Sequence, residues 1–199
     1  HTYMTLTDVE TRHELGLQDL TFDPDFHHNG FVYIYYQHKS TQRSRISRFI
    51  HEGDTADPET EVLIWESNAA FGACCHYGGG LEFSPIDGTL FFTTGDEGDP
   101  GATQSLTRTN GKVMRINIDG SLPEDNPFFD GPGPNLDEIY CLGLRNPFRG
   151  GFDPETGRYI LGEVGQDQWE NIYQAEPGAN FGWPICEGNC VPTNPIYTD

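Results

Sequence analysis

The stretch Phe83-Ser84-Pro85-Ile86-Asp87-Gly88-Thr89-Leu90-Phe91-Phe92-Thr93-Thr94 sets a proline-bearing turn and a glycine before a run of strand formers. The same order occurs twice more. Phe22-Asp23-Pro24 precedes Asn29-Gly30 and Phe31-Val32-Tyr33-Ile34-Tyr35-Tyr36, and Phe152-Asp153-Pro154 precedes Thr156-Gly157 and Arg158-Tyr159-Ile160-Leu161-Gly162-Glu163. Proline presets the backbone for a turn, glycine closes it, and β-branched and aromatic residues favour the strand that follows. Each copy therefore predicts a β-hairpin. The copies begin 61 and 69 residues apart, so each repeat holds a hairpin, further strands and a loop.

Outside the repeats the same texture continues. Strands are expected at Phe31–Tyr36, Ser44–Ile50, Glu61–Trp65, Gly80–Phe83, Thr89–Thr94, Lys112–Ile118, Glu138–Leu142, Tyr159–Glu163 and Glu170–Gln174. Twenty-four glycines and fourteen prolines leave little room for long helices. The fold class is all-β. Repeated small antiparallel sheets of this size are the blades of a β-propeller, here with long inserted loops. Three repeats do not close a ring, so residues 1–199 read as a partial propeller, a fragment of a longer chain whose remaining blades are its first partner. The longest strand-free stretches, Glu97–Gly111 and Asp119–Asp137, are expected on one face.

Net charge is −20, from 31 acidic and 11 basic residues. Such a surface repels a phosphate backbone, so nucleic acid is not an expected partner. No apolar run approaches the roughly 18 residues of a membrane span. The acid excess suits solubility in high salt and also suits hard cations such as calcium. The five cysteines (Cys74, Cys75, Cys141, Cys186 and Cys190) lack zinc-site spacing. They point to one or two disulfides in an oxidising compartment, with connectivity open.

His76 enters a glycine run, Tyr77-Gly78-Gly79-Gly80, and Asp96 closes Thr94-Gly95-Asp96. Taken alone, the first is a hydrogen-bonded loop histidine and the second a turn aspartate. GLQDLTFDPDF, NGFVYIYY, SRISRF, HYGGGLEFSP, TTGD, GKVMRINIDGSLPEDNPFF, GLRNPF, GEVGQDQWENI and GANFGWP follow one another from about Glu14 to Pro184. In that order they resemble the soluble quinoprotein glucose/sorbosone dehydrogenases, which include the aldose sugar dehydrogenases. The Hedgehog-interacting proteins share the propeller.

The resemblance implies a six-bladed β-propeller, of which this chain supplies about three to four blades, with pyrroloquinoline quinone (PQQ) and calcium as cofactors. It implies His76 as catalytic base and cofactor contact, oriented by Asp96. It also implies Arg145 and Asn146 against the quinone, Arg145 steadying charge during reduction. Calcium would be held by the carbonyls of Gly165 and Gln166, with Glu170 near a second cation position. Phe148 departs from the glutamine of the glucose-oxidising branch, and Lys112 reads as loop support. The implied reaction is oxidation of an aldose at its anomeric carbon to the lactone. A small sugar and an external electron acceptor would be partners, outside the cytoplasm in an extracellular or periplasmic setting. The alternatives are a non-catalytic binding module of the Hedgehog-interacting type and a calcium-dependent lactonase-like hydrolase.

Overall fold

The computed structural model describes residues 1–72 and 74–188. They form two compact units, divided between Phe71 and Gly72. No described helix is long and apolar enough to cross a membrane.

The first unit is one four-stranded antiparallel sheet in the order β1-β2-β3-β4: β1 Leu17–Phe22, β2 Phe31–His38, β3 Arg43–Glu52 and β4 Thr55–Glu66. A single-turn helix, α1 (Phe26–Asn29), joins β1 to β2. Central strand β2 is buried along nearly its whole length, as its Val, Ile and Tyr content predicts. Val32, Ile34, Tyr36 and Phe49 make the core, with Tyr3, Met4, Leu6, Val9 and Phe26 packed against it.

The second unit holds two antiparallel sheets. One runs β5-β6-β7-β8: β5 Leu81–Phe83, β6 Leu90–Thr94, β7 Lys112–Ile116 and β8 Ile139–Leu142. The other runs β11-β10-β9: β9 Pro147–Phe152, β10 Tyr159–Val164 and β11 Glu170–Ala175. Phe91, Val113, Cys141, Leu144, Tyr159, Leu161 and Ala175 form their common core. Phe91 meets the edge of Phe152 with ring centroids 5.0 Å apart, a favoured aromatic geometry.

All three sequence repeats are hairpins of one design. Phe22 pairs with Val32, Phe83 with Leu90 and Phe152 with Tyr159. After each phenylalanine a polar side chain caps the turn. Asp23 Oδ1 accepts from Asp25 N–H, Ser84 Oγ from Ile86 N–H, and Asp153 Oδ1 from Glu155 N–H. The closing glycines Gly30, Gly88 and Gly157 have φ of 65°, 72° and 68°, the left-handed region a side chain resists. The chain is all-β, and each sheet has the form of a propeller blade.

Every expected strand is present, and two further strands appear. β1 is a bulged edge strand with the polar sequence LQDLTF. β9 carries Pro147, Gly150 and Gly151, which read as turn residues. Gly150 pairs with Leu161 and leaves no room for a side chain: a Cβ there would fall 2.4 Å from the Tyr159 hydroxyl oxygen. The long loops are Glu97–Gly111 and Asp119–Asp137. They flank β7 at its opposite ends and touch where Leu136 N–H donates to Leu106 O (2.8 Å). Among the described cysteines, Cys186 is disulfide-bonded, whereas Cys74, Cys75 and Cys141 are thiols. Cys190 lies outside the described residues.

Candidate active site

The second unit brings His76, Asp96, Arg145 and Asn146 together through backbone contacts that tolerate no side chain. A Cβ on Gly95 would sit 1.9 Å from His76 O, and one on Gly78 would sit 2.6 Å from Thr93 O. His76 itself has φ of 63°, unusual for a non-glycine residue. Its carbonyl accepts from Glu97 N–H (3.2 Å), which fixes the histidine segment against the turn carrying Asp96.

Asp96 is the hub. Its side chain is almost fully buried, and Oδ1 lies 2.8 Å from His76 Nδ1 while also accepting from Gly98 N–H (3.0 Å). Oδ2 accepts the indole N–H of Trp183 (3.0 Å). The Asp96 backbone N–H donates to Arg145 O (2.7 Å), and Asn110 Nδ2 donates to Asp96 O (3.1 Å). An ionised carboxylate only accepts, so the proton of a neutral His76 resides on Nδ1 and the lone pair on Nε2.

Arg145 and Asn146 lie in the link from β8 to β9. One buried carboxylate oxygen, Glu163 Oε1, accepts both their backbone N–H groups, at 2.6 and 3.2 Å. Asn146 Oδ1 accepts from Gly78 N–H (3.1 Å), tying this link to the histidine segment. The Arg145 guanidinium donates from Nη1 to Val164 O (3.2 Å), and its Cζ lies 5.7 Å from the Trp183 ring centroid. Arg145 Nε and Glu163 Oε2 are both buried without a hydrogen-bond partner. Burial pushes the Glu163 carboxyl up to about 7, assisted by the charge of Asp96 and opposed by its bonds to Arg145 and Asn146.

The loop after β10 carries Gly165 and Gln166, with Glu170 opening β11 opposite Val164. Gly165 N–H donates to Glu170 Oε2 (3.3 Å), so that carboxylate is engaged by its own hairpin. Arg145, Glu163, Gly165 and Trp183 line one small cavity beside the loop. Among the described residues no group of three or more His, Cys, Asp or Glu side chains is placed to hold a metal. Backbone carbonyls, such as those of this loop, are hard donors of the kind calcium takes.

Lys112 supports a loop, as its position in GKVMRI suggests. Its Nζ is fully buried and donates to Ala102 O (3.3 Å), Thr103 O (2.9 Å) and Asn110 O (2.5 Å). Burial and nearby Arg108 draw its pKa down, while three carbonyls match the three ammonium donors. Phe148 stands half-exposed on β9 with Arg149 over its ring.

Sequence reading missed Trp183, Glu163 and Gln104. The tryptophan is visible in GWP, yet nothing local places it on Asp96, 87 residues away. Gln104 Nε2 and Thr103 Oγ1 both donate to Trp183 O at 2.6 Å, holding the indole segment in place.

The glucose/sorbosone dehydrogenase family matches residues 1–196, and the chain belongs to that family. It is 31% identical over 198 residues to quinoprotein glucose dehydrogenase B of Acinetobacter calcoaceticus, across 87% of this chain and 40% of that protein. It is 36% identical over 135 residues to the HIPL1 protein of Arabidopsis thaliana, across 57% of this chain and 19% of that protein. The PQQ-bound aldose sugar dehydrogenase of Streptomyces coelicolor superimposes with a TM-score of 0.79 at 28% identity, over 94% of this chain and 53% of that one. The chain thus spans about half the length of relatives it matches.

Proposed function

We propose that this chain carries the base and part of the cofactor pocket of a PQQ- and calcium-dependent aldose dehydrogenase. The observation behind this reading is the Asp96 carboxylate held between His76 Nδ1 and Trp183 Nε1, with Arg145 alongside. A pure binding surface has no need of an oriented imidazole beside a half-buried guanidinium.

The residues fit the cofactor. PQQ bears three carboxylates and an ortho-quinone, and the buried, unpartnered Arg145 Nε suits an anionic oxygen. Arg145 and Asn146 would hold the quinone edge, and the carbonyls of Gly165 and Gln166 would hold calcium. Bound PQQ supplies the two-electron acceptor for hydride from the anomeric carbon, and calcium supplies Lewis acidity.

His76 Nε2 takes the proton of the anomeric hydroxyl, so the C1–O bond becomes the lactone carbonyl as the C1–H bond breaks. Asp96 stabilises the resulting imidazolium and fixes its ring, and the Trp183 N–H holds the carboxylate in place. Arg145 steadies negative charge that accumulates on reduction. An extracellular or periplasmic site accords with the disulfide at Cys186. An external electron acceptor would be the second partner of such a site.

Reconstitution of the full-length protein with PQQ and calcium, followed by aldose-dependent reduction of an artificial dye, tests this reading. Activity dependent on PQQ supports it. Absence of both PQQ binding and dye reduction turns the assignment to a protein-binding module, the reading to which the HIPL1 likeness would then point.

A further inference from the structure

The amides of the loop that closes the β10–β11 hairpin converge on one atom. Glu187 Oε1 accepts from the backbone N–H groups of Gln166 (2.7 Å), Asp167 (3.0 Å), Gln168 (3.1 Å) and Trp169 (3.2 Å). Successive amides facing one point form an anion-binding concavity. Here the chain supplies the anion itself, from 18 to 21 residues downstream. The amides of Gln168, Asp167, Gln166 and Trp169 draw the Glu187 carboxyl down to about 2.

The surroundings hold this arrangement closely. A Cβ on Gly165 would lie 1.7 Å from Trp169 O and 2.7 Å from Glu187 Oε1. A Cβ on Gly188 would lie 2.6 Å from the Trp169 indole, so the glutamate's segment rests directly on the loop. Tyr173 OH donates to Gly188 O (3.1 Å), and Cys186, next to the glutamate, is disulfide-bonded and donates its N–H to Gly182 O (3.0 Å). An ordinary five-residue hairpin loop needs no buttress of this kind.

We propose that Glu187 is a positioning residue: its carboxylate draws the amides of residues 166–169 inward and so fixes the loop whose carbonyls meet calcium. This rests on the calcium reading of Gly165 and Gln166 given above. Without the carboxylate, four amide dipoles face one another with no counter-charge, and the loop opens.

The test compares full-length protein with its Glu187→Ala and Glu187→Gln variants by amide hydrogen exchange and by calorimetric titration with calcium alone. Glu187→Ala is expected to speed exchange at residues 166–169 and to weaken calcium binding, each by about tenfold or more. Glu187→Gln, which keeps a carbonyl acceptor at the same place, is expected to fall between. Unchanged exchange in Glu187→Ala overturns the proposal whatever calcium does. Faster exchange with unchanged calcium affinity overturns the link to the cation. Failure of the unaltered protein to bind calcium overturns the Gly165–Gln166 assignment instead, since exchange still reports on Glu187.

Discussion

Trp183 donates its indole N–H to Asp96 Oδ2 across 3.0 Å, on the side of the carboxylate opposite His76. The aspartate therefore cannot swing away from the imidazole without breaking its bond to the indole N–H. Trp183→Phe keeps the ring near Arg145 and removes the donor. A charge-assisted hydrogen bond contributes about 1.5–3 kcal/mol, so kcat for aldose oxidation should fall by about tenfold or more. Steady-state kinetics on the full-length protein would show this as a loss in kcat with little change in KM. An unchanged kcat would remove Trp183 from the site.

Gly95→Ala should be more damaging than its one methyl group suggests. The added Cβ would meet backbone, His76 O at 1.9 Å and His76 C at 2.4 Å, and neither can rotate aside. Displacement of His76 from Asp96 predicts loss of nearly all activity, with destabilisation of about 1–3 kcal/mol from overpacking. Activity and thermal midpoint measured side by side would check both parts. A fully active variant would mean that the two segments need not touch.

Lys112→Met preserves length and burial but removes the donor shared by three carbonyls, leaving Ala102 O and Thr103 O to the N–H groups of Ser105 and Gly143 and Asn110 O without its ammonium. Loss of these bonds should cost about 1–3 kcal/mol, read from chemical denaturation. The loop Ala102–Asn110 should lose exchange protection first. Stability equal to the unaltered protein would make the ammonium incidental.

Glu163 gives a pH signature. Its folded pKa of about 7 lies above its ordinary 4.5, so the folded state holds a proton that the unfolded chain releases. The resulting stability is complete below about pH 4.5 and is lost as pH rises through about 7. Glu163→Gln, permanently neutral, should lack this decline. Denaturation of both proteins at pH 5 and pH 8 in calcium-free buffer checks the sign. A variant that loses as much stability as the unaltered protein across that interval would place the titrating group elsewhere.

The hairpins were legible because their signals are local. Proline, glycine and strand formers at fixed offsets specify Phe83–Thr94 and its two relatives without reference to the rest of the chain. β1 and β9 were not, because strand pairing overrides their composition: Gly150 pairs with Leu161 although glycine disfavours strands. The first residues of β4 escaped for a similar reason, since the two-residue turn at Gly53-Asp54 pairs Glu52 with Thr55 and extends the strand. In the site, His76, Asp96, Arg145 and Asn146 were marked by motifs, and the fold brings them together. The roles of Glu163, Trp183 and Glu187 were not legible, because each acts on backbone or carboxylate atoms far away in sequence.

The most direct test is the His76→Ala variant of the full-length protein, compared with the unaltered protein for PQQ-dependent aldose oxidation at matched folding. General-base catalysis contributes about a hundredfold or more, and the variant should lose at least that much activity. A variant that oxidises the sugar within a few-fold of the unaltered rate would contradict the assignment of His76 as the base.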